Sequence, residues 1–245
     1  MPRVKLTIAY DGAAYAGWQV QPARRTVQGE VERAWREITG EEVRLTASGR
    51  TDAGVHALGQ VAGVETSSPL PPERLLRGLN AKLPDDIVIV GAEPAPANFH
   101  ATHDAVRKTY RYQIHNSRIR PLMDRGYVWH YPPAVLDAAA MQAGGDRLVG
   151  RHDFVSFETA GSDRATTVRT ITRLDVTQRG ERIDITVTGD GFLYNMVRAI
   201  AGTLVEVGRG AKPPEWVAEV IAARSRKAAG PNAPPQGLVL VSVEY

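Results

Sequence analysis

The two halves of this chain show hydrophobic periods in the same order, and that repetition limits the folds open to it. Val4, Leu6, Ile8 and Tyr10 alternate with Lys5, Thr7 and Ala9, the period of a strand with one buried face, closed by Asp11-Gly12. Val27, Val31, Ala34, Trp35 and Ile38 then recur at helical spacing, between Thr26 as a cap and Gly40 as a stop. Val43, Leu45 and Ala47 predict a second strand and Gly59–Glu65 a third. Pro71-Pro72 open a helix carrying Leu75, Leu76 and Leu79, and Ile87–Val90 reads as a buried strand. Glu93–Asn98, with Pro94 and Pro96, reads as a linker.

The second half repeats the order. Tyr110, Tyr112 and Ile114 alternate with Arg111 and Gln113, and the Ala-rich Val135–Leu148 is helical. Val168–Val176 and Ile183–Val187 are strands joined by a turn at Arg179-Gly180. Leu193, Met196, Val197, Ile200, Ala201 and Leu204 form a helical stripe, and a further helix runs from Pro213 to about Ala223. Leu238–Tyr245 is a final strand, so the Ala-, Gly- and Pro-rich stretch Ala228–Gly237 before it is a loop within the fold. Each half spells β-α-β-β-α-β, the ferredoxin-like pattern, without shared residue identities. The expected fold is therefore α/β of the α+β kind. Two ferredoxin-like halves, 1–106 and 107–245, carry mixed, mainly antiparallel sheets. These join into one long sheet with a central cleft, where ligands tend to sit.

Composition excludes several chemistries. The 245 residues contain no cysteine, so disulfides, thiolate metal sites, iron–sulfur clusters and thiol nucleophiles are ruled out. The first residues carry no apolar signal region, and no apolar run is long enough to span a bilayer, which predicts a cytoplasmic protein with no membrane partner. The net charge is only +3, but the cations cluster. Six Lys/Arg between His100 and Arg125 face two acids, and five between Arg209 and Lys227 face two more. Arginine presents a rigid fork suited to phosphate, so the clusters point to a polyanionic partner.

The residues that could carry chemistry are few. Gly49-Arg50-Thr51-Asp52-Ala53-Gly54-Val55-His56 is a glycine-bracketed polar loop between two strands, able to turn sharply and present Asp52, with Arg50 two residues before it. A turn in which Asp52 only bonds its own backbone accounts for the same residue types, and on those alone it is the favoured reading. His56 has no nucleophile elbow to serve. His100 and His103 have metal-like spacing, but further ligands cannot be identified. No phosphate-binding or dinucleotide glycine motif occurs. Tyr110 and Tyr112 share a strand face among Arg107, Lys108 and Arg111; one is expected in the core and one as a stacking platform for a base. Arg198 lies on the flank of its helix, off the apolar stripe, where a solvated arginine is the plain reading.

Taken together, these residues resemble a known family. Tyr10-Asp11-Gly12, Gly17-Trp18-Gln19, Gly49-Arg50-Thr51-Asp52-Ala53-Gly54-Val55-His56, Phe99-His100-Ala101 and Arg107-Lys108-Thr109-Tyr110 are similar to tRNA pseudouridine synthase A. So are His152-Asp153-Phe154, Phe192-Leu193-Tyr194-Asn195-Met196-Val197-Arg198 and Gly202-Thr203-Leu204, in order over nearly the whole chain. Thr102 departs from the pattern, since members often carry arginine there. The resemblance implies a cytoplasmic homodimer, with neither metal nor organic cofactor, that isomerises uridines at positions 38, 39 and 40 in the anticodon arm of tRNA. It implies Asp52 as the nucleophile, Tyr110 against the target base, Arg198 paired with the aspartate, and Arg50 in base flipping. Arg24, Arg25, Arg107, Arg111 and Arg169 are candidates for phosphate contacts. Two other readings stand beside it: a non-catalytic RNA-binding protein, and a metal-dependent hydrolase using His100 and His103.

Overall fold

The computed structural model describes residues 2–159 and 166–245. In chain order the described elements are β1 (Arg3–Tyr10), α1 (Val27–Thr39), β2 (Thr46–Ala47), β3 (His56–Glu65), α2 (Pro72–Asn80), β4 (Ile87–Ala95), β5 (Arg107–His115), β6 (Trp129–His130), α3 (Ala138–Asp146), β7 (Gly150–Asp153), β8 (Val168–Arg179), β9 (Arg182–Gly189), α4 (Met196–Gly208), α5 (Trp216–Ala223) and β10 (Leu238–Glu244). The protein is α+β with mixed, mainly antiparallel strand pairing. It divides into two compact units, Met1–Val106 with Val239–Tyr245, and Arg107–Leu238.

In the first unit the strands run β4-β1-β3, with β2 antiparallel on the far edge of β3, the ferredoxin-like order. Val4, Leu6, Ile8 and Tyr10 point to one face of β1 and are buried, as their period of two requires. Helix α1 starts where Thr26 caps it, accepting from the Gly29 amide, and ends at Gly40, whose φ of +77° is left-handed. Its buried face carries Val27, Val31, Ala34 and Trp35. Trp35 is wholly enclosed, so Trp35→Ala should cost about 3–5 kcal/mol of stability. Urea denaturation would show this as a lower midpoint at unchanged slope. A second small cluster, Val61, Phe99 and Ala101 with Ala95 and Val243, covers part of the sheet elsewhere.

Three details differ from the sequence reading. Ile87–Val90 is not buried throughout: Ile87 and Ile89 are enclosed, while Val88 and Val90 are exposed. β4 continues through Pro94, which pairs with Val4, where a linker was expected. An edge strand tolerates this, because the missing amide faces away from its single neighbour. The final strand lies in the second half of the sequence, yet β10 runs parallel to β3, with Val239 opposite His56 and Leu240 opposite Ala57, and closes the first unit.

In the second unit the strands run β5-β9-β8-β7, all antiparallel, with the short β6 parallel to β5. Tyr112 and Ile114 of β5 and Ile183, Ile185 and Val187 of β9 are buried on one face. Helix α3 packs against β8 and α4, and α4 against β5. α3 begins at Ala138, because Asp137 caps it by accepting from the amides of Ala139 and Ala140. Strands β6 and β7, of two and four residues, were not foreseen. Among the described residues no helix is long and apolar enough to cross a membrane.

Candidate active site

The Asp52 loop leaves β2 and enters β3, and its neighbours in the first unit hold it from several directions. The Thr51 carbonyl accepts from the Trp18 amide at 3.0 Å, and the Asp52 carbonyl accepts from the Val55 amide at 3.1 Å. The hydroxyls of Thr51 and Tyr10 share a bond of 2.7 Å. Gln60, wholly buried, donates to the Gly49 carbonyl at 2.9 Å and accepts from the Ser48 hydroxyl at 2.8 Å. At the far end, Nδ1 of His56 lies 3.1 Å from the Gly12 amide and 3.0 Å from an Asp11 carboxylate oxygen. His56 is buried and secures the turn after β1 to the start of β3. Gly12 allows the closest approach. A β-carbon there would stand 2.0 Å from the Val55 carbonyl oxygen.

This anchoring has an electrostatic side. Burial pushes the Tyr10 hydroxyl up to about 12, against the pull of its bonds to Thr51 and Gln60. Free tyrosine in the unfolded chain titrates near 10. Between about pH 10 and 12 the unfolded chain therefore binds fewer protons than the folded one, and stability falls as pH rises. Below pH 10 this contribution is fully present. Tyr10→Phe should flatten that alkaline decline by about 2 kcal/mol, read from urea midpoints at pH 9 and 11.5.

Asp52 is half-buried and Arg50 is exposed on the same loop. Tyr110 and Arg198 belong to the second unit, on β5 and α4. Of the two tyrosines, both are buried. Tyr112 is enclosed completely and its hydroxyl donates to the Pro234 carbonyl at 2.7 Å, so it is the core residue. Burial raises its hydroxyl pKa, with the Arg198 charge opposing. Tyr110 keeps 8% of its surface and stands edge-on to Phe192, centroids 5.1 Å apart. Arg198 is half-buried, where its position off the apolar stripe suggested a solvated arginine. Its Nε donates to the Ala233 carbonyl and its Nη1 to the Asn195 side-chain oxygen, both at 2.7 Å.

The remaining candidates separate. Arg25 is engaged within the protein, 2.8 Å from Glu30 and 3.5 Å from Asp86, and it stacks over the Tyr15 ring at 4.5 Å. Arg169 donates to the carbonyls of Thr166 and Val168. Arg24 and Arg107 are exposed. Nδ1 of His100 accepts from the amides of Thr102 and His103, at 3.2 and 3.3 Å, so the His-x-x-His spacing serves a turn. The Thr102 hydroxyl donates to the Ala47 carbonyl at 2.7 Å. Among the described residues no group of three or more His, Cys, Asp or Glu could hold a metal ion. Sequence reasoning missed the anchoring residues Tyr10, Gln60 and Asn195. Tyr10 and Asn195 are polar groups at the end of an element, and Gln60 is a polar residue in the middle of a largely buried strand, where an apolar one would pack as well.

A pinned polar loop presenting a carboxylate, in a protein with two sheet units, describes an enzyme rather than a simple scaffold. The family model described as tRNA pseudouridine synthase matches residues 6–104 and 146–245. The chain is 46% identical to tRNA pseudouridine synthase A 2 of Clostridium perfringens over the full length of both. It is 49% identical to tRNA pseudouridine synthase A of Moorella thermoacetica and 46% identical to that of Caldicellulosiruptor bescii, again covering all of each chain. The chain belongs to the tRNA pseudouridine synthase family, and is an isomerase of uridine in tRNA.

Proposed function

We propose that the protein forms pseudouridine at positions 38, 39 and 40 of the tRNA anticodon arm, with Asp52 as the reacting carboxylate. The reaction breaks the bond from ribose C1′ to N1 and joins C1′ to C5. The C5 proton leaves to solvent and N1 gains one, so composition and oxidation state are unchanged and the balance calls for no redox or group-transfer cofactor. Asp52 can act by attack at C1′, by addition to C6 or by removing the C2′ proton. Each route needs it ionised and held still. The observation that supports this reading is the multiple anchoring of its loop through Tyr10, Thr51, Trp18, Gln60 and Gly12.

A uridine in a stem must be extruded, at a cost of a few kcal/mol. Arg50, exposed two residues before Asp52, is assigned to that step. Tyr110, with its remaining accessible edge, is the ring against which the extruded base settles. Arg198 is assigned the part of the reaction's arginine, since a guanidinium stays charged and can bind a carboxylate through two bonds. The working form is a cytoplasmic homodimer. Phosphate contacts dominate affinity for the arm, so tRNA binding should weaken by at least about tenfold between 50 and 200 mM salt.

The test uses tRNA carrying tritium at uridine C5. Release should occur from the intact anticodon arm and vanish when uridines 38–40 are replaced by cytidine. Undiminished release from that substrate, through other uridines, would overturn the positional assignment.

A further inference from the structure

The residue preceding α4 spends its side chain on something other than the helix. Asn195 has φ +61° and ψ +7°, left-handed values that asparagine tolerates better than most residues with a side chain. An asparagine at a helix start ordinarily turns its oxygen onto the amides of the first turn. Asn195 makes no such bond. Its oxygen accepts instead from Nη1 of Arg198 at 2.7 Å, one turn along the helix.

The opposite edge of Arg198 is held as firmly. Nε donates to the Ala233 carbonyl at 2.7 Å, and the Ala233 amide donates back to the Arg198 carbonyl at 3.0 Å. The loop around Ala233 is itself fixed. Arg226 donates to the Gly230 carbonyl and to the Asn232 side chain, both at 2.8 Å, and the Gly230 amide donates to the Thr203 hydroxyl at 3.0 Å. Gly202 lets this loop lie flat on α4, since a β-carbon there would stand 1.7 Å from the Pro231 carbonyl oxygen. The guanidinium is therefore gripped at two nitrogens in one plane, which sets both its rotation and its reach.

We propose that Asn195 is a positioning residue for uridine isomerisation, holding the Arg198 guanidinium in the one orientation in which it serves the reaction. This rests on the role given above to Arg198. A two-bond grip on a carboxylate tolerates little rotation of the fork. Beside the bond to the Ala233 carbonyl, Asn195 supplies a second fixed point on the guanidinium, and its left-handed backbone is what aims the amide oxygen along the helix side.

The test is tritium release by the full chain, with kcat and KM for tRNA measured separately. Asn195→Gly keeps the left-handed backbone and removes the oxygen. It should lower kcat about 10- to 100-fold, the scale of a misplacement near 1 Å, with KM and melting temperature close to the parent's. Asn195→Asp retains an acceptor and should recover most of that loss. In an Arg198→Lys background, which already lacks the fork, Asn195→Gly should add almost nothing. Parental kcat in Asn195→Gly, an equal loss in both backgrounds, or a loss carried by KM or melting temperature would each overturn the proposal. Parental kcat in Arg198→Lys alone would remove the reading of Arg198 and this inference with it. A loss there beside parental kcat in Asn195→Gly removes only the inference.

Discussion

Asp52→Asn should abolish tritium release while leaving tRNA binding within about threefold of the parent, because phosphate contacts and not this side chain dominate affinity. Loss of a reacting group that acts as part of a unit commonly costs at least about a thousandfold in kcat. The substitution is close to isosteric, so shape gives no reason for a change. The bonds that anchor the loop run through Tyr10, Thr51, Trp18, Gln60 and the backbone at Gly12, and all of them survive it. What disappears is the negative charge and the second equivalent oxygen. All three routes open to the carboxylate need that charge, so none of them escapes the test. Retention of more than a tenth of parental kcat would show that another group reacts.

Gly12→Ala is the second large effect expected, and it acts from outside the loop. The added carbon would meet the Val55 carbonyl oxygen at 2.0 Å and its carbonyl carbon at 2.6 Å. Both are backbone atoms, so no side chain can swing aside to relieve the clash. Either β1 and its turn shift, or the segment from Asp52 to His56 does. Overpacking of this kind costs about 1–3 kcal/mol in stability. A loop shift near 1 Å costs about a hundredfold in rate. The expected pattern is a protein that melts a few degrees lower, still binds tRNA, and has lost nearly all turnover. Parental kcat at any melting temperature would mean that the loop does not depend on this contact.

The sequence made some parts of this architecture plain and hid others for physical reasons. β1 and α1 were readable because alternation, a threonine cap and a glycine stop are local signals. β6 and β7 were hidden by brevity, since two to four residues cannot display a period. β4 was cut short on the page by Pro94, whose tolerance depends on its being an edge strand, a fact of topology. The same divide runs through the candidate site. Asp52, Arg50, Tyr110 and Arg198 were picked out by their match to a family pattern. The anchors Tyr10, Gln60 and Asn195 act through contacts that no spacing rule announces. Arg25, singled out by type for phosphate, also pairs with Glu30 and Asp86, contacts that its residue type did not announce.

The parallel pairing of Val239 with His56 sets an order on biosynthesis. While the ribosome is still translating the middle of the message, the first residues of the strand that follows the Asp52 loop, His56 and Ala57, lack their partner on one side. That partner emerges only after the rest of the first sheet and the whole of the second unit, residues 107–238, have been made. Contacts this distant along the chain form slowly. The nascent protein thus waits, with the start of β3 incompletely braced, until β10 has been made.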